Sequence, residues 1–589
     1  MTDVLQSSRK AARLAVRALA LVTHALPLGI LTFSLLPHEN TAQAFPIADP
    51  TNQSTLSGSA PLGTDLPSQD VKGLQTQGKL INRPGLGNGP GWTITPRLTL
   101  QELITDNAYE VKNPRRFDAA TILAPGITIN ADTPRIQLRL DYSPSLIIHA
   151  INGPLNTLSQ QLNAVGLVTV VPDLAYVDVR ALSGVQSRLG GLSGSGNLGA
   201  ADTGPITATS LSSGGGSYGQ TGQGLNRNNL VQTSSFGISP YLLRQFKDYG
   251  TGKLGVSFNA SRYNSLSGFA AAPIPVGGTA GQTLLTTEQL AQFTSGEILG
   301  RFQDTASANL SQSTSRADAV NGAPSQSFSS RRIILNNQLS YALNRVFTPQ
   351  ASIGYEDIQY SSIGVRPIHG ITWNVGLTVT PDPDTSLTVT YGRQNGATSA
   401  AAHGRYALTA RTLISLDYSN TVGTQLENLQ RQLNGTTLDA NGQAINAQTG
   451  GPQFLAANGL GVQTGVFRFR TFNASVQTTL TRDTLSAAFT WSEQASLSGF
   501  SNTTDYKTIA VAWSHELTPD MTFSTGASYS IIRRPAGADN AYSFAMALRY
   551  VLTPSVSLSA RYTFFDRISG VPGYSMYENA LLLGITKQF

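Results

Sequence analysis

Four histidines lie beyond the leader-like first stretch of the 589 residues: His149, His369, His403 and His515. No two stand at a spacing that would let them share a metal ion. The chain has no cysteine, which removes thiolate metal centres, disulfides and cysteine nucleophiles together. Ser514-His515-Glu516 has the residue types of a hydrolase. Neighbours on a strand point to opposite faces, so the three would not converge. Gly194-Ser195-Gly196-Asn197-Leu198-Gly199 matches a dinucleotide fingerprint literally, but no strand precedes it and no helix follows, as such a site requires. No catalytic, metal or cofactor residues are therefore assigned, and no enzyme activity is expected. The chemistry left is that of charged side chains. Arg139, Asp141, Asp178, Arg180, Arg549 and Arg561 each sit on the polar parity of an alternating stretch. In a water-filled lumen they would set the field felt by a solute. They could equally pair with one another and brace the wall.

The elements that would carry these residues show a period of two. Tyr542, Phe544, Met546, Leu548 and Tyr550 alternate with Ser543, Ala545, Ala547 and Arg549. Val556, Leu558, Ala560, Tyr562 and Phe564 alternate with Ser557, Ser559, Arg561 and Thr563. Leu485 to Trp491 and Ile136 to Tyr142 repeat the pattern. Period two is the strand signal. The runs are long for a soluble sheet and suit a tilted bilayer crossing. Their polar parity is mostly Ser, Thr, Ala, Asn and Gln, which would wet a lumen and make a poor dry core. Charged residues are 13% of the chain, against about a quarter in soluble proteins.

Turn signals recur at Phe347-Thr348-Pro349, Val379-Thr380-Pro381, Leu408-Thr409-Ala410, Leu480-Thr481-Arg482, Leu517-Thr518-Pro519 and Leu552-Thr553-Pro554. Proline presets a turn and cannot sit inside a ladder. Most of these signals lie two strands and two connections apart. The spacing predicts an all-β, antiparallel, up-and-down transmembrane barrel over residues 92–589, of about 22 strands, with 18–22 compatible. Both termini would be periplasmic, as would the short turns. Residues 288–316 and 403–420 are the stretches hardest to place. The long outer loops would be 186–233, 264–290 and 421–464. Within the last, Thr424 and Glu427 have capping-box spacing and Gly435 follows, so a short helix is expected from Thr424 to Leu433. Leu426, Leu429 and Leu433 share one of its faces, and Glu427 could pair with Arg431. Such a helix either packs the loop down or constricts the mouth.

Residues 1–44 read as a secretory signal: a basic stretch ending at Arg17, an apolar stretch from Ala18 to Leu36, then Ala42-Gln43-Ala44. Residues 45–91 are rich in Pro, Gly, Ser, Asn and Gln and read as a disordered periplasmic segment. They are too short and polar to form the folded plug of a TonB-dependent transporter. Beyond Ala44 no run of about 18 apolar residues occurs, so a membrane location requires a closed barrel. The net charge is +6, and four bases (Arg9, Lys10, Arg13, Arg17) against two acids (Asp3, Glu39) place part of it in the leader. No dense basic stripe remains, and nucleic acid is excluded as a partner. The chain ends with Leu581, Leu583, Ile585 and Phe589 on one parity, the pattern read by the barrel-assembly machinery. Lys587 interrupts that face and would snorkel to the interface.

Trp92-Thr93-Ile94-Thr95-Pro96, Asp106-Asn107, Ala124-Pro125-Gly126-Ile127, Leu140-Asp141-Tyr142-Ser143 and Tyr176-Val177-Asp178-Val179-Arg180 resemble the exosortase/PEP-CTERM system-associated outer-membrane proteins. The later Leu-Thr turn segments resemble that family too. The resemblance implies an outer-membrane barrel tied to exopolysaccharide or surface-protein export, with polysaccharide or export-system components as partners. It carries over no catalytic residues. The long Gly/Ser loops and the 45–91 segment depart from the family's pattern. Three readings of the function stay open: a porin-like channel or export conduit, a non-conducting scaffold barrel, and a general nutrient porin. Outer-membrane lipid and, during biogenesis, the assembly machinery are expected partners in all three.

Overall fold

The computed structural model describes residues 91–187, 206–208, 211, 230–265, 281–317, 327–362, 364–438, 444–446, 465–498 and 503–589. The leader, the 45–91 segment up to Pro90, and the Gly194–Gly199 motif lie outside them.

Where the sequence alternates, the backbone is extended. The first eight strands are β1 (Trp92–Thr105), β2 (Asp118–Asp132), β3 (Ile136–His149), β4 (Thr157–Val171), β5 (Ala175–Ser187), β6 (Leu230–Gln245), β7 (Gly250–Ser265) and β8 (Gly281–Ser295). Next come β9 (Phe302–Ala317), β10 (Ser327–Tyr341), β11 (Phe347–Tyr360), β12 (Ile368–Asp382), β13 (Thr385–Gln394), β14 (Ala397–Thr409) and β15 (Thr412–Gly423). After β15 come the helix α1 (Gln425–Asn434) and a small hairpin, β16 (Thr436–Leu438) with β17 (Ala444–Asn446). The last strands are β18 (Phe467–Thr479), β19 (Asp483–Ser496), β20 (Thr503–Thr518), β21 (Met521–Arg534), β22 (Gly537–Thr553), β23 (Val556–Ser569) and β24 (Met576–Gln588).

Among the described residues, 22 strands form one antiparallel sheet in chain order. β1 also pairs with β24, Thr99 opposite Thr586 and Leu103 opposite Leu582, which closes the sheet. Closure leaves no edge, so every backbone group of the wall can be met within the ladder. Trp92 and Gln588 both lie at the end of the barrel that carries the short turns.

Parity sorts the side chains. On β22 and β23, Phe544 faces Phe564 and Met546 faces Tyr562 across the outer surface. Around the barrel that surface is an exposed apolar band: Leu254, Phe258, Ile371, Val375, Leu485 and Leu583 are all open. Ile353 and Ile371 are 63% and 65% exposed. An apolar surface of this extent is unsustainable in water and is what lipid would cover. No described helix is long and apolar enough to cross a membrane; the strands do the crossing. Trp373 with Tyr391, and Trp513 with Phe523, meet edge to face on this outer side. Leu581, Leu583, Ile585 and Phe589 lie on the same side and are exposed. The Lys587 ammonium rests 5.0 Å from the Phe589 ring centroid, so the interrupting cation is absorbed by its neighbour.

Two details of the expected turns and loops are corrected. Phe347-Thr348-Pro349 is the start of β11, paired with Val379, Thr378 and Leu377, and the turn lies just before it. The β7–β8 connection is shorter than the expected 264–290, since β7 runs to Ser265 and β8 begins at Gly281. The stretch 288–316, hard to place from the sequence, comprises the end of β8, a short turn and most of β9.

Candidate functional site

The inner face is built from short hydroxyl side chains that satisfy one another across strands. Ser235 and Ser261 stand 2.8 Å apart, Thr286 and Ser313 3.0 Å, and Ser528 and Ser543 2.6 Å. Each strand offers one such residue per two positions, so these rows follow from the polar parity and the antiparallel register. The face is not polar throughout: Leu103, Ala120, Ile122 and Ile147 form a buried apolar cluster over β1–β3.

The α1 helix begins with the capping box expected from its sequence. Thr424 Oγ1 accepts from the Glu427 backbone N–H at 3.2 Å, and Glu427 Oε2 accepts from the Thr424 N–H at 2.8 Å. Leu426, Leu429 and Leu433 pack on Val165, Leu182, Val231, Tyr263 and Leu284 from five successive strands, β4 to β8. The polar flank is tied at several points. Gln430 donates to Ser261 Oγ at 2.8 Å and accepts from Thr286 Oγ1 at 3.1 Å. Gln425 donates to Gln494 on β19 at 3.1 Å. Glu427 accepts from Ser330 on β10 at 2.8 Å and from Tyr360 on β11 at 3.4 Å. A ten-residue helix, about 15 Å long, thus touches wall strands from both sides of its own connection. Of the two expectations for it, the packing one holds: the helix is packed down against the inner face of the wall.

The expected Glu427–Arg431 pair does not form. The Glu427 carboxylate is taken by the cap, Ser330 and Tyr360, and the three guanidinium nitrogens of Arg431 are buried without a hydrogen-bond partner. Burial, with the Arg332 charge beside it, pushes the Arg431 pKa down to about 10, which still leaves it charged at neutral pH. Arg332 donates to the Val422 carbonyl at 2.6 Å, at the foot of the helix.

The six charges read from the sequence fall into different settings. Asp178 and Arg180 are two apart on one face of β5 and bond at 2.9 Å. Arg180 also donates to the Leu433 and Asn434 carbonyls, capping the C-terminus of α1. Asp141 is held by Arg97 of β1 in a two-bonded fork, at 2.7 and 2.8 Å, with Thr128 between them. Arg139 lies one pleat from Asp141 and has a partner of its own. Arg549 and Arg561 stand diagonally across β22 and β23, since Arg549 faces Ser559 and Ala547 faces Arg561. Arg561 is buried and has a partner. Arg549 makes no hydrogen bond at its buried Nε. Both arginines line a cavity of about 320 Å³ with Thr484, Ser514, Thr522 and Ser524, where Glu516 brings opposite charge. Arg97, Arg332 and Gln430 were missed by the sequence reading. The parity of Arg97 and Arg332 is visible, but Asp141, the Val422 carbonyl and Ser261, which these three residues meet, are 44 to 169 residues away.

Among the described residues the histidines do not cluster. His149 bonds Asp118 at 3.0 Å, His403 bonds Asp417 at 2.6 Å and His515 bonds Asp483 at 2.8 Å. His515 also stacks beside Trp513, whose indole N–H donates to the same Asp483 carboxylate. That places it among the rim residues next to the Thr518 turn.

Residues 471–589, from within β18 to the end of β24, match the family model described as Putative beta-barrel porin 2. No curated protein matches the chain in sequence. Among solved structures, the siderophore receptor PirA from Acinetobacter baumannii is similar at 9% identity, with 84% of this chain and 80% of that one covered and a TM-score of 0.45. The ferric-catecholate import receptor Fiu from E. coli K12 is similar at 9% identity, over 84% and 81% of the two chains, with a TM-score of 0.45. The FrpB iron transporter from Neisseria meningitidis is similar at 8% identity, over 88% and 84%, with a TM-score of 0.47. The closed sheet, its apolar outer band and the porin-model match identify the chain as an outer-membrane β-barrel with a porin-like fold.

Proposed function

We propose that this barrel is a passive conduit for hydrophilic solutes across the outer membrane, with both chain ends on the periplasmic side. The observation that carries the reading is the hydroxyl-lined inner face with the Arg549 and Arg561 cavity at its short-turn end. Hydroxyl rows exchange hydrogen bonds with water and polyols at little net cost. A cationic pair at the exit raises the local concentration of anions and loses its hold as salt screens it. The likeness of residues 92–185 to the exosortase/PEP-CTERM system-associated proteins supports a place in exopolysaccharide or surface-protein export. Polysaccharide or export components would then be its partners, beside lipid and the assembly machinery. Deleting the gene and measuring surface polysaccharide against uptake of small sugars tests this. Lost polysaccharide with normal uptake fits export, and the reverse fits a nutrient porin.

A second reading, a non-conducting scaffold, is favoured by α1, which lies inside the barrel and is anchored to strands on several sides. Purified protein that never conducts in planar bilayers would support the scaffold.

A further inference from the structure

The connection from β5 to β6 leaves the wall at the long-loop end, and the sequence places it outside. Ile206, Ala208 and Leu211 of that connection are instead fully buried, packed on Ala488, Ala510, Ala512 and Ala545. Those alanines are on the inner parity of β19, β20 and β22. The register makes the seat explicit. Ser486, Ala512, Gly526 and Ala545 form one row across β19 to β22, and Ala488, Ala510, Ser528 and Ser543 form the next. A row of the smallest side chains leaves a hollow in the wall. Leu211 fills it: a Cβ built on Gly526 would stand 2.5 Å from Leu211 Cδ1. Two wall hydroxyls accept from the segment's backbone, Ser524 Oγ from Ile206 N–H at 3.1 Å and Ser486 Oγ from Ala208 N–H at 2.9 Å. Ser524 belongs to the row Thr484, Ser514, Ser524, Ala547, Arg561, which borders the arginine cavity.

We propose that Ile206, Ala208 and Leu211 form a latch of the chain's own, seated in this small-residue hollow, that obstructs the conduit immediately above Arg549 and Arg561. The role rests on the conduit reading given above; the seating does not. Among the described residues, none of Ile206, Ala208 and Leu211 belongs to the strand ladder of the wall, so their seating can be released while the barrel stays intact. Released, it would expose an apolar alanine strip to the lumen, and that burial favours the closed state.

The absence of native cysteine makes the test clean. Leu211→Cys with Gly526→Cys should form a disulfide on mild oxidation in outer membranes, detected by mass spectrometry of the joined peptides. Oxidation should then lock planar-bilayer channels at their low level, and reduction should restore wild-type conductance. Leu211→Asp, and separately Gly526→Val, which fills the seat without touching the latch, should raise conductance. Heat-modifiable gel mobility verifies that each variant has folded. Failure of the disulfide to form in a folded barrel overturns the seating. A disulfide that forms while conductance is equal in oxidised and reduced channels overturns the obstruction. A disulfide with no conductance in any variant, Leu211→Asp included, overturns the conduit reading and the latch's role with it.

Discussion

The docking of α1 can be measured through one buried hydroxyl. Ser261 on β7 is covered by Gln430 of the helix and is 1% exposed. Ser261→Cys in this cysteine-free chain would be a reporter whose thiol reacts with a water-soluble maleimide only when the helix lifts. Leu429 is buried among Val165, Leu182, Tyr263 and Leu284. Truncating a leucine so placed costs about 2–5 kcal/mol. That cost falls on the docked state alone, because a lifted helix exposes Leu429 in either sequence. At about 3 kcal/mol, the lifted population and the labelling rate rise about a hundredfold for Leu429→Ala. Thr424→Ala removes the side-chain half of the cap, worth about 1 kcal/mol, and should raise the rate about fivefold. The assay is labelling in intact outer membranes, with reagent slow relative to helix motion. An unchanged rate in Leu429→Ala, with the Ser261→Cys barrel folded, would refute the claim that leucine burial holds the helix inside.

Three further outcomes are expected. Deleting Phe589 should lower outer-membrane yield and heat-modifiable barrel more than Lys587→Ala, because Phe589 continues the lipid-facing row and Lys587 interrupts it; equal yields would contradict the terminal signal. Arg97→Met and Asp141→Asn should each destabilise the β1–β3 wall, and the double variant should recover part of the loss, with a coupling of about 1 kcal/mol for this partly buried pair; strict additivity in urea unfolding would show that the fork contributes nothing. The mature chain should begin at Phe45, read by N-terminal sequencing of purified membranes; a retained Met1 would overturn the leader assignment.

The wall was legible in the sequence because its physics is local. A strand with lipid on one side and water on the other must alternate, and the Thr-containing turns at Leu480, Leu517 and Leu552 mark its period. Phe347-Thr348-Pro349 misled because proline also fits the first residues of a strand, where its missing N–H costs least. The α1 cap was legible for the same local reason. What folds into the barrel was not. Arg180 reads as a lumenal charge, yet its task is to cap a helix 253 residues later. The alanines of β19, β20 and β22 read only as members of the lumenal parity, and the register reveals a row hollowed for Leu211. Ile206 and Leu211 do stand out as apolar residues within a Gly/Ser-rich connection. That contrast is the signal that could have found the latch.

The central claim is a water-filled conduit whose short-turn end carries a cationic pair. The reversal potential of purified protein in planar bilayers, under a salt gradient, tests it most directly. It should be compared between the native side chains and Arg549→Gln with Arg561→Gln, in both wild-type and Leu211→Asp backgrounds. The account predicts anion preference with the arginines and a shift toward cations without them, shrinking as salt rises. An identical reversal potential in all four proteins, or no conductance in any of them, would contradict it.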